Sequence, residues 1–336
     1  MTLDTYSLVA VYSAMAVYAL AFIAFAIDLA RRSAAVDQAA AAQRSLEKRS
    51  AATQSLTAGS ADGGNTLLAT RAAPAGSTAV QYTDSPALRV GVALTVIAWV
   101  LQFAADILRG LAANRVPWAN MYEFALTGTL LIVTVFLASV FFSKQDLRFL
   151  GTFVIGLVLL LLGVATTNFY VAVAPLPPAL QSAWLVIHVF VATSATGFFA
   201  LGFALSVLQL AQVRREAQIA AGRPSIKFLA TLPDSSKLES FAYRVNIIGF
   251  ILWTFTLMAG AIWAEKAWGR YWGWDTKEVW TFIIWVLYAG YIHARATRGW
   301  RGSRASWLAI VGFGAVMFNF TVVNLFFKGL HAYSGL

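Results

Sequence analysis

The chain has 336 residues, of which 59% are hydrophobic and only 12% charged, and its mean hydropathy is +0.69. Folding alone cannot remove so much apolar surface from water, so the composition excludes an ordinary water-soluble protein and indicates a membrane protein. In such a protein the formal net charge of +10 reflects topology and attraction to anionic lipid, and we interpret it so rather than as nucleic-acid binding.

A bilayer core requires about 20 consecutive apolar residues per helix. The sequence predicts eight such segments: about 7–29, 89–108, 121–143, 149–171, 183–212, 244–263, 277–297 and 305–328. All eight prolines lie between or beside these segments, as expected because proline inside a helix removes a backbone hydrogen bond. The predicted fold is therefore all-α, a polytopic integral membrane protein with about eight transmembrane helices.

The predicted helices divide the chain into three parts: a first transmembrane helix (1–30), a loop (31–87) and a seven-helix membrane domain (88–336). The loop is rich in Ala, Ser, Thr, Gly and Gln and has few large apolar residues. It lacks the material for a core, so we expect it to be a disordered cytoplasmic segment. Residues 213–243 are expected to form a basic connector at the lipid surface.

Lysine and arginine stay preferentially on the cytoplasmic side of a membrane. With the N-terminus outside, all of the 25 basic residues except Arg109, Arg115, Lys266, Arg270, Lys277 and Lys328 fall on the inner side. The first helix has no basic segment before it, so a cleaved signal peptide is not expected. Both termini are predicted to face outward.

The tryptophan segment, residues 263–280, reads WAEKAWGRYWGWDTKEVW and joins the sixth and seventh predicted helices at the outer surface. Trp263 and Trp280 at its ends are expected to be interfacial belt residues, because indole rings suit the headgroup region. Between them the tryptophans are dense and alternate with glycine, at Trp268, Gly269, Trp272, Gly273 and Trp274. This pattern predicts an aromatic platform for a large flat ligand.

Two of the three histidines lie near the same outer surface. His188 is about 8 Å below the outer end of the fifth helix by the rise of an α-helix, and His331 follows the eighth helix. Imidazole is a common axial ligand of heme iron, so this pair indicates heme. His293 is roughly 25 Å deeper than Lys277. If it binds heme, the second ligand must come from a partner; alternatively it marks the inner interface beside Arg295.

The stretch WGRYWGWDTKEVW, with a histidine on each side, resembles the WWD signature of the heme-handling proteins of cytochrome c maturation. It is most similar to the CcsA (ResC) branch of system II, and RVPWANMYEF at 115–124 is similar to that branch as well. The resemblance covers roughly residues 89–336. One departure is Thr276, which stands where the family pattern leads us to expect proline after the WD pair.

The resemblance implies a heme site with two iron ligands outside and one within the membrane. His188 and His331 match the family histidines that ligate heme at the external surface, and His293 matches the histidine that holds heme within the membrane with a histidine of a ResB-type subunit. The porphyrin would be cradled by the WWD core, with its glycines: Trp268, Gly269, Trp272, Gly273, Trp274 and Asp275. The implied cofactor and substrate is heme b.

The implied function is that of a heme-binding subunit of a cytochrome c synthase (heme lyase type), acting together with the ResB-type subunit. Heme would be presented for thioether attachment to the C-x-x-C-H motif of apocytochrome c, a motif that supplies the thiols this cysteine-free chain lacks. No catalytic residue is assigned beyond heme presentation. Transmembrane heme delivery and thioredoxin-like thiol-reducing partners remain open. The expected location is the bacterial cytoplasmic (plasma) membrane, with the tryptophan segment on the extracytoplasmic side.

Three alternatives remain at this level. A heme exporter or chaperone would use the same ligands without attachment activity. A heme b electron-transfer subunit would normally place paired histidines inside its helices at two depths, and a transporter without heme leaves the tryptophans unexplained.

Other polar residues have two interpretations each. Trp118, Asn120 and Glu123 either shape the pocket or finish helix ends. Arg109, Arg115, Lys266 and Arg270 either meet heme propionates or lipid headgroups. The asparagines of the membrane segments, namely Asn246, Asn319 and Asn324, are expected to hydrogen-bond between helices.

Overall fold

The computed structural model describes residues 2–58, 85–143, 146–174, 181–297 and 299–331. Every regular element within these ranges is helical, which confirms the predicted all-α class. The α-helices are α1 Leu3–Ala58, α2 Pro86–Ala113, α3 Met121–Phe142, α4 Gly151–Asn168, α5 Ala183–Ala220, α6 Ser235–Trp268, α7 Thr276–Thr297, α8 Ser303–Phe320 and α9 Val322–Phe326. Short 3₁₀ turns at Arg148–Leu150 and Lys227–Thr231 precede α4 and α6.

Seven helical segments of the described ranges are long and apolar enough to cross a membrane, namely α1 to α6 and the stretch Ser303–Phe326 that contains α8 and α9. The seventh predicted segment does form a helix, α7, of 22 residues. This helix is not among the seven: it carries charged or titratable side chains near both ends and several tryptophans and tyrosines between them. The prediction of a polytopic membrane protein is confirmed.

Two regions expected to lack helix are largely helical. The prediction that 31–87 forms a disordered loop is wrong for residues 31–58, because α1 continues to Ala58. Residues 59–84 lie outside the described ranges. Alanine, glutamine, glutamate, lysine and arginine favour helix, and a helix that already exists extends without a new nucleation step. The predicted connector at 213–243 shortens for the same reason, since α5 continues to Ala220 and α6 begins at Ser235.

Side-chain caps explain several helix ends. Ser85 accepts a hydrogen bond from the Leu88 N–H at the start of α2, and Pro86 occupies the first helical turn. Asn120 caps α3 by accepting from the Glu123 N–H at 3.0 Å. At the end of α6, Gly269 has φ +70°, a left-handed conformation that glycine adopts without strain.

The helices pack in pairs, with α1 along α2, α5 along α6 and α8 against both α5 and α7. An extended apolar core lies between them. We call one end of the bundle the cavity end: α2 and α6 end there, α3 and α7 begin there, and His331 returns to it. A second apolar cluster at this end contains Trp118, Leu185, Val189 and Trp263.

Candidate functional site

His188 lies in the second turn of α5, against α6. Its Nδ1 is 3.0 Å from the carbonyl oxygen of Thr256, and Gly260, one turn later, leaves room for the ring. A carbonyl oxygen only accepts hydrogen bonds, so Nδ1 carries the proton and donates it. The lone pair of the neutral ring is then on Nε2. A neutral imidazole held in this way is prepared to bind a metal ion through Nε2.

His331 is fixed by the same kind of contact. Its Nδ1 lies 2.7 Å from Oδ2 of Asp275, the residue just before α7. This hydrogen bond from His331 holds the pKa of Asp275 below its usual value. A carboxylate that accepts the Nδ1–H of a histidine is the usual outer partner of a metal-binding imidazole, because it orients the ring and leaves Nε2 as ligand.

Both histidines line one cavity of about 220 Å³ at the cavity end. Its walls come from α3, α4, α5, α6, α7 and α8 and are mostly aliphatic and aromatic. The two imidazoles also line a smaller neighbouring pocket together with Trp272. The structure therefore brings together the two histidines that the sequence placed at one depth.

Trp263 joins the two imidazoles. It is 2% exposed, and its ring stacks on His188 at 5.8 Å between centroids and meets His331 edge to face at 5.4 Å. The prediction that Trp263 is an interfacial belt residue is wrong, because α5 and the segment that carries His331 cover it on both sides. Only the neighbours supplied by the fold identify this tryptophan as part of the site.

The other tryptophans of the segment occupy different surroundings. Trp268 packs edge to face on His331 at 4.8 Å and on Trp263 at the same distance. Trp272 meets Trp274 at 5.9 Å. Trp274 is 77% exposed and has φ +60°, which is unusual for a residue other than glycine. The segment thus has a buried half around Trp263 and Trp268 and an exposed half around Trp274.

The glycines and Asp275 have local structural roles. Gly269 ends α6, and Gly273 donates its N–H to the Glu278 carboxylate at 2.7 Å. Glu278 also accepts from the Asp275 N–H at 3.1 Å, which gives α7 half of a capping box whose N-cap residue is Asp275. Thr276 is the first helical residue, where proline is favoured but not required, so the departure at Thr276 leaves the start of α7 in place.

Lys277 is a site residue that sequence reasoning missed. It is partly buried, lines the cavity together with both histidines, and donates from Nζ to Oδ1 of Asn324 at 2.5 Å. Asn319, in α8, donates to Thr281 of α7 at 3.4 Å, so two of the three membrane asparagines bond between elements as expected. Lys277 was grouped with the other outer basic residues because its orientation depends on how α7 packs.

His293 lies apart from the cavity. It is exposed, four residues before the end of α7, and roughly 25 Å along the helix from Lys277. The exposed stripe of α7 also contains Phe282, Val286 and Gly290. His293 therefore belongs to a surface of the bundle and not to the site of the other two histidines.

The polar residues around α2 and α3 form a separate network. Arg109 is fully buried and donates to Glu123 at 3.1 Å, to Asp4 and to the carbonyl of Val171 at 2.6 Å. Arg115 pairs with Glu123 at 2.7 Å. Both arginines proposed for propionates are therefore engaged by carboxylates of the chain itself, and Glu123 and Asn120 finish the start of α3.

Trp118 begins a second chain of hydrogen bonds and lines the cavity. Its Nε1 donates to Thr127 at 3.0 Å, Thr127 donates to Asp106 at 3.1 Å, and the indole ring lines the cavity wall. The pocket-shaping interpretation therefore applies to Trp118. The remaining basic candidates lie outside the cavity lining: Lys266 is 59% exposed and pairs with Glu265, and Arg270 packs over Gly273.

The arrangement suits a flat ligand that carries its own equatorial metal ligands. Two imidazoles are too few to hold a bare zinc or iron ion, whereas a metal macrocycle, which supplies its own equatorial ligands, would need no more than two ligands from the protein. Aromatic and aliphatic walls bury its faces, and one lysine adds a positive charge.

Comparisons with known proteins place the chain among proteins of cytochrome c assembly. Residues 118–331 match the family described as Cytochrome C assembly protein. Two curated relatives named Cytochrome c biogenesis protein CcsA come from Trieres chinensis, 31% identical over 74% of this chain and 87% of that protein, and from Synechococcus sp. (strain CC9902), 33% identical over 71% and 85%. A solved structure named Cytochrome c Heme Lyase CcmF has a similar fold, with a TM-score of 0.59 and 16% identity; this chain covers 47% of its length, and the match spans 95% of this chain.

Proposed function

The chain belongs to the CcsA family of cytochrome c biogenesis proteins, and from that premise we propose that it holds heme b at its cavity end and presents it to apocytochrome c. His188 and His331 are the proposed iron ligands, and heme is the substrate rather than a resident cofactor. The function is that of the heme-binding membrane subunit of a cytochrome c synthase.

One observation carries this proposal. Each imidazole at the cavity end has its Nδ1 hydrogen-bonded to a fixed acceptor and its Nε2 available, and both rings line the same aromatic cavity. Pre-oriented ligands bind a metal with little further loss of side-chain freedom. Trp263 and Trp268 support both rings and provide surfaces on which a porphyrin can pack.

The chemistry required of the chain is positioning. In thioether formation the cysteine sulfur bonds to the inner carbon of a heme vinyl group, the thiol proton goes to the outer carbon, and the C=C bond becomes single. No electrons are gained or lost in that addition. With the iron held by two imidazoles, the vinyl groups have a fixed place to meet the thiols of C-x-x-C-H, which is the entropic contribution of an enzyme that orients its substrate.

Release of the product follows from the same ligands. The substrate motif contains its own histidine, which must take one axial position in the finished cytochrome. We infer that His331 is the ligand that gives way. It comes from the non-helical segment after α9, whereas His188 lies in the long helix α5 and bonds to the long helix α6.

We further propose that His293 faces a ResB-type subunit. Its exposure on the α7 stripe supports this, since an imidazole on the lipid-facing side of a membrane helix is costly without a partner. We also propose a location in the bacterial plasma membrane. The distribution of basic residues supports an orientation with both termini and the tryptophan segment outside. Thioredoxin-like proteins that keep the substrate thiols reduced are the remaining proposed partners.

The function is tested with purified protein, alone and with the ResB-type subunit, supplied with heme and apocytochrome c. His188→Ala and His331→Ala should each change the heme absorption spectrum of the isolated chain and abolish heme-linked cytochrome detected by mass spectrometry. His293→Ala is the matched control and should leave the heme spectrum of the isolated chain unchanged. Wild-type spectra in both outer variants would refute the ligand assignment. Heme binding and delivery without any thioether product would favour a heme chaperone.

A further inference from the structure

The cavity has an unbalanced charge. Its described lining contains one cationic side chain, Lys277, and no aspartate or glutamate. Asp275, two residues before Lys277, is engaged by His331 and by the backbone N–H groups of Leu330 and Lys277. A partly buried cation in an apolar cavity is unfavourable without an anionic partner. Among the described residues the ammonium group donates its hydrogen bond to a neutral amide, the Asn324 side chain, while the Asp275 carboxylate attracts it without a hydrogen bond.

The charge of Lys277 is reinforced by its place in the helix. It is the second residue of α7, a helix of 22 residues. The first turn of a helix carries a partial positive charge, so the field of α7 adds to that of the ammonium group. Glu278 also lies in this turn, but its carboxylate is bonded to the N–H groups of Gly273 and Asp275.

Three other cations of this end, Arg109, Arg115 and Lys266, are already paired with carboxylates. Arg109 and Arg115 share the Glu123 carboxylate, and Lys266 is exposed beside Glu265. A ligand carboxylate that enters the cavity therefore meets Lys277 as the basic side chain of the described lining.

We propose that Lys277 binds a propionate of the heme held between His188 and His331. This inference rests on the proposed function and adds a recognition contact to it. Asn324 holds the ammonium group in the cavity, and the propionate becomes its charged partner. The two propionates project from one edge of the porphyrin, and the vinyl groups are carried by the other two pyrrole rings. Lys277 thereby fixes which edge of the ring lies next to α7 and turns the vinyl groups away from it.

The test compares heme with heme dimethyl ester, in which both propionates are neutral. Equilibrium binding to the detergent-solubilised chain is followed by absorption. Wild type should bind heme about tenfold to a hundredfold more tightly than the ester, the range expected for a charge-assisted hydrogen bond. Lys277→Met should lose that preference by weakening heme binding while leaving ester binding nearly unchanged. Lys277→Arg should restore most of it, and Lys266→Met, an exposed lysine, should behave as wild type.

Two results would overturn the proposal. One is that wild type binds heme and ester equally. The other is that Lys277→Met weakens both ligands alike, as a structural role shared with Asn324 requires; Asn324→Ala should then reproduce it. The proposed function fails separately, when wild type binds neither ligand or when His188→Ala and His331→Ala leave the heme spectrum unchanged.

Discussion

The cavity end contains two groups of buried charges built in opposite ways. Around Glu123 the chain matches positive with negative, since Arg109 and Arg115 bond to the carboxylates of Glu123 and Asp4. Around Lys277 the carboxylates of Asp275 and Glu278 bond to His331 and to backbone N–H groups, and within the described residues the ammonium group donates to an amide. A group whose charges are balanced within the chain contributes to the fold. A group with an unbalanced positive charge can bind an anionic ligand. Substitutions on each side should therefore change different measurable quantities.

The largest expected effect is on stability, at Glu123. Glu123→Gln leaves Arg109 buried without its carboxylate on α3, and breaking a buried ion pair from one side destabilises a protein by about 3–5 kcal/mol. Unfolding in detergent, followed by circular dichroism, measures it. Glu265→Gln removes an exposed carboxylate of the same end and should change stability by less than about 1 kcal/mol. In contrast, Lys277→Met should not destabilise the ligand-free protein, and a loss like that of Glu123→Gln would end the distinction between the two groups.

The next largest effect is on heme affinity, at Asp275. Asp275→Asn removes the carboxylate that orients His331, and loss of such a partner weakens metal binding by about tenfold to a hundredfold. Asp234→Asn is the matched control, because Asp234 caps α6 through the Lys237 N–H. Both variants replace a capping carboxylate by an amide that still accepts a hydrogen bond, but only Asp275→Asn should change heme titrations. Equal effects of the two variants on heme affinity would mean that Asp275 acts only as a helix cap.

The same carboxylate gives a pH dependence with a defined sign. The folded-state pKa of Asp275 is lowered by the His331 hydrogen bond, so its contribution to stability is complete above the ordinary aspartate value, about 3.9. It is lost as the pH falls through the lowered pKa. The difference in unfolding free energy between wild type and Asp275→Asn should be constant at neutral pH and shrink in acid. A difference that grew on acidification would contradict the assignment.

These two groups also show what the sequence could and could not predict. The apolar segments predicted the helices, because a segment that crosses a membrane must form its backbone hydrogen bonds within itself. The helical rise placed His188 and His331 at one depth. The surroundings of Trp263 and Lys277 cannot be read from the sequence, because they come from α5, α9 and the segment of His331, which are distant along the chain. The extension of α1 to Ala58 differs from the expected loop because residues 31–58 contain many helix formers, which can continue a helix in water without apolar residues.

A smaller effect on heme affinity is expected at Gly260, which has no side chain and so leaves room for the His188 ring. A Cβ at Gly260 would lie 2.8 Å from His188 Cε1, so Gly260→Ala should shift the ring from the Thr256 carbonyl and weaken heme binding by about tenfold. Gly314→Ala, in α8, meets nothing within 4 Å and gains helix propensity. It should leave the heme titration as in wild type. A normal titration for Gly260→Ala would show that the orientation of His188 has little influence on binding.

The smallest effect concerns the one departure from the family pattern. Thr276 is the first residue of α7, after Asp275 at the N-cap. Proline at this position loses no intrahelical hydrogen bond, has its φ already near the helical value and restricts the unfolded chain. Thr276→Pro should therefore raise the unfolding free energy by about 0.4–1 kcal/mol. Heme affinity should not change, because the side chain at 276 contributes to neither group of charges. The capping contacts of Asp275 and Glu278 predict that the start of α7 accommodates either threonine or proline at position 276. Lower stability of Thr276→Pro would contradict this and would mean that the turn from Trp274 into α7 differs from that of relatives with proline.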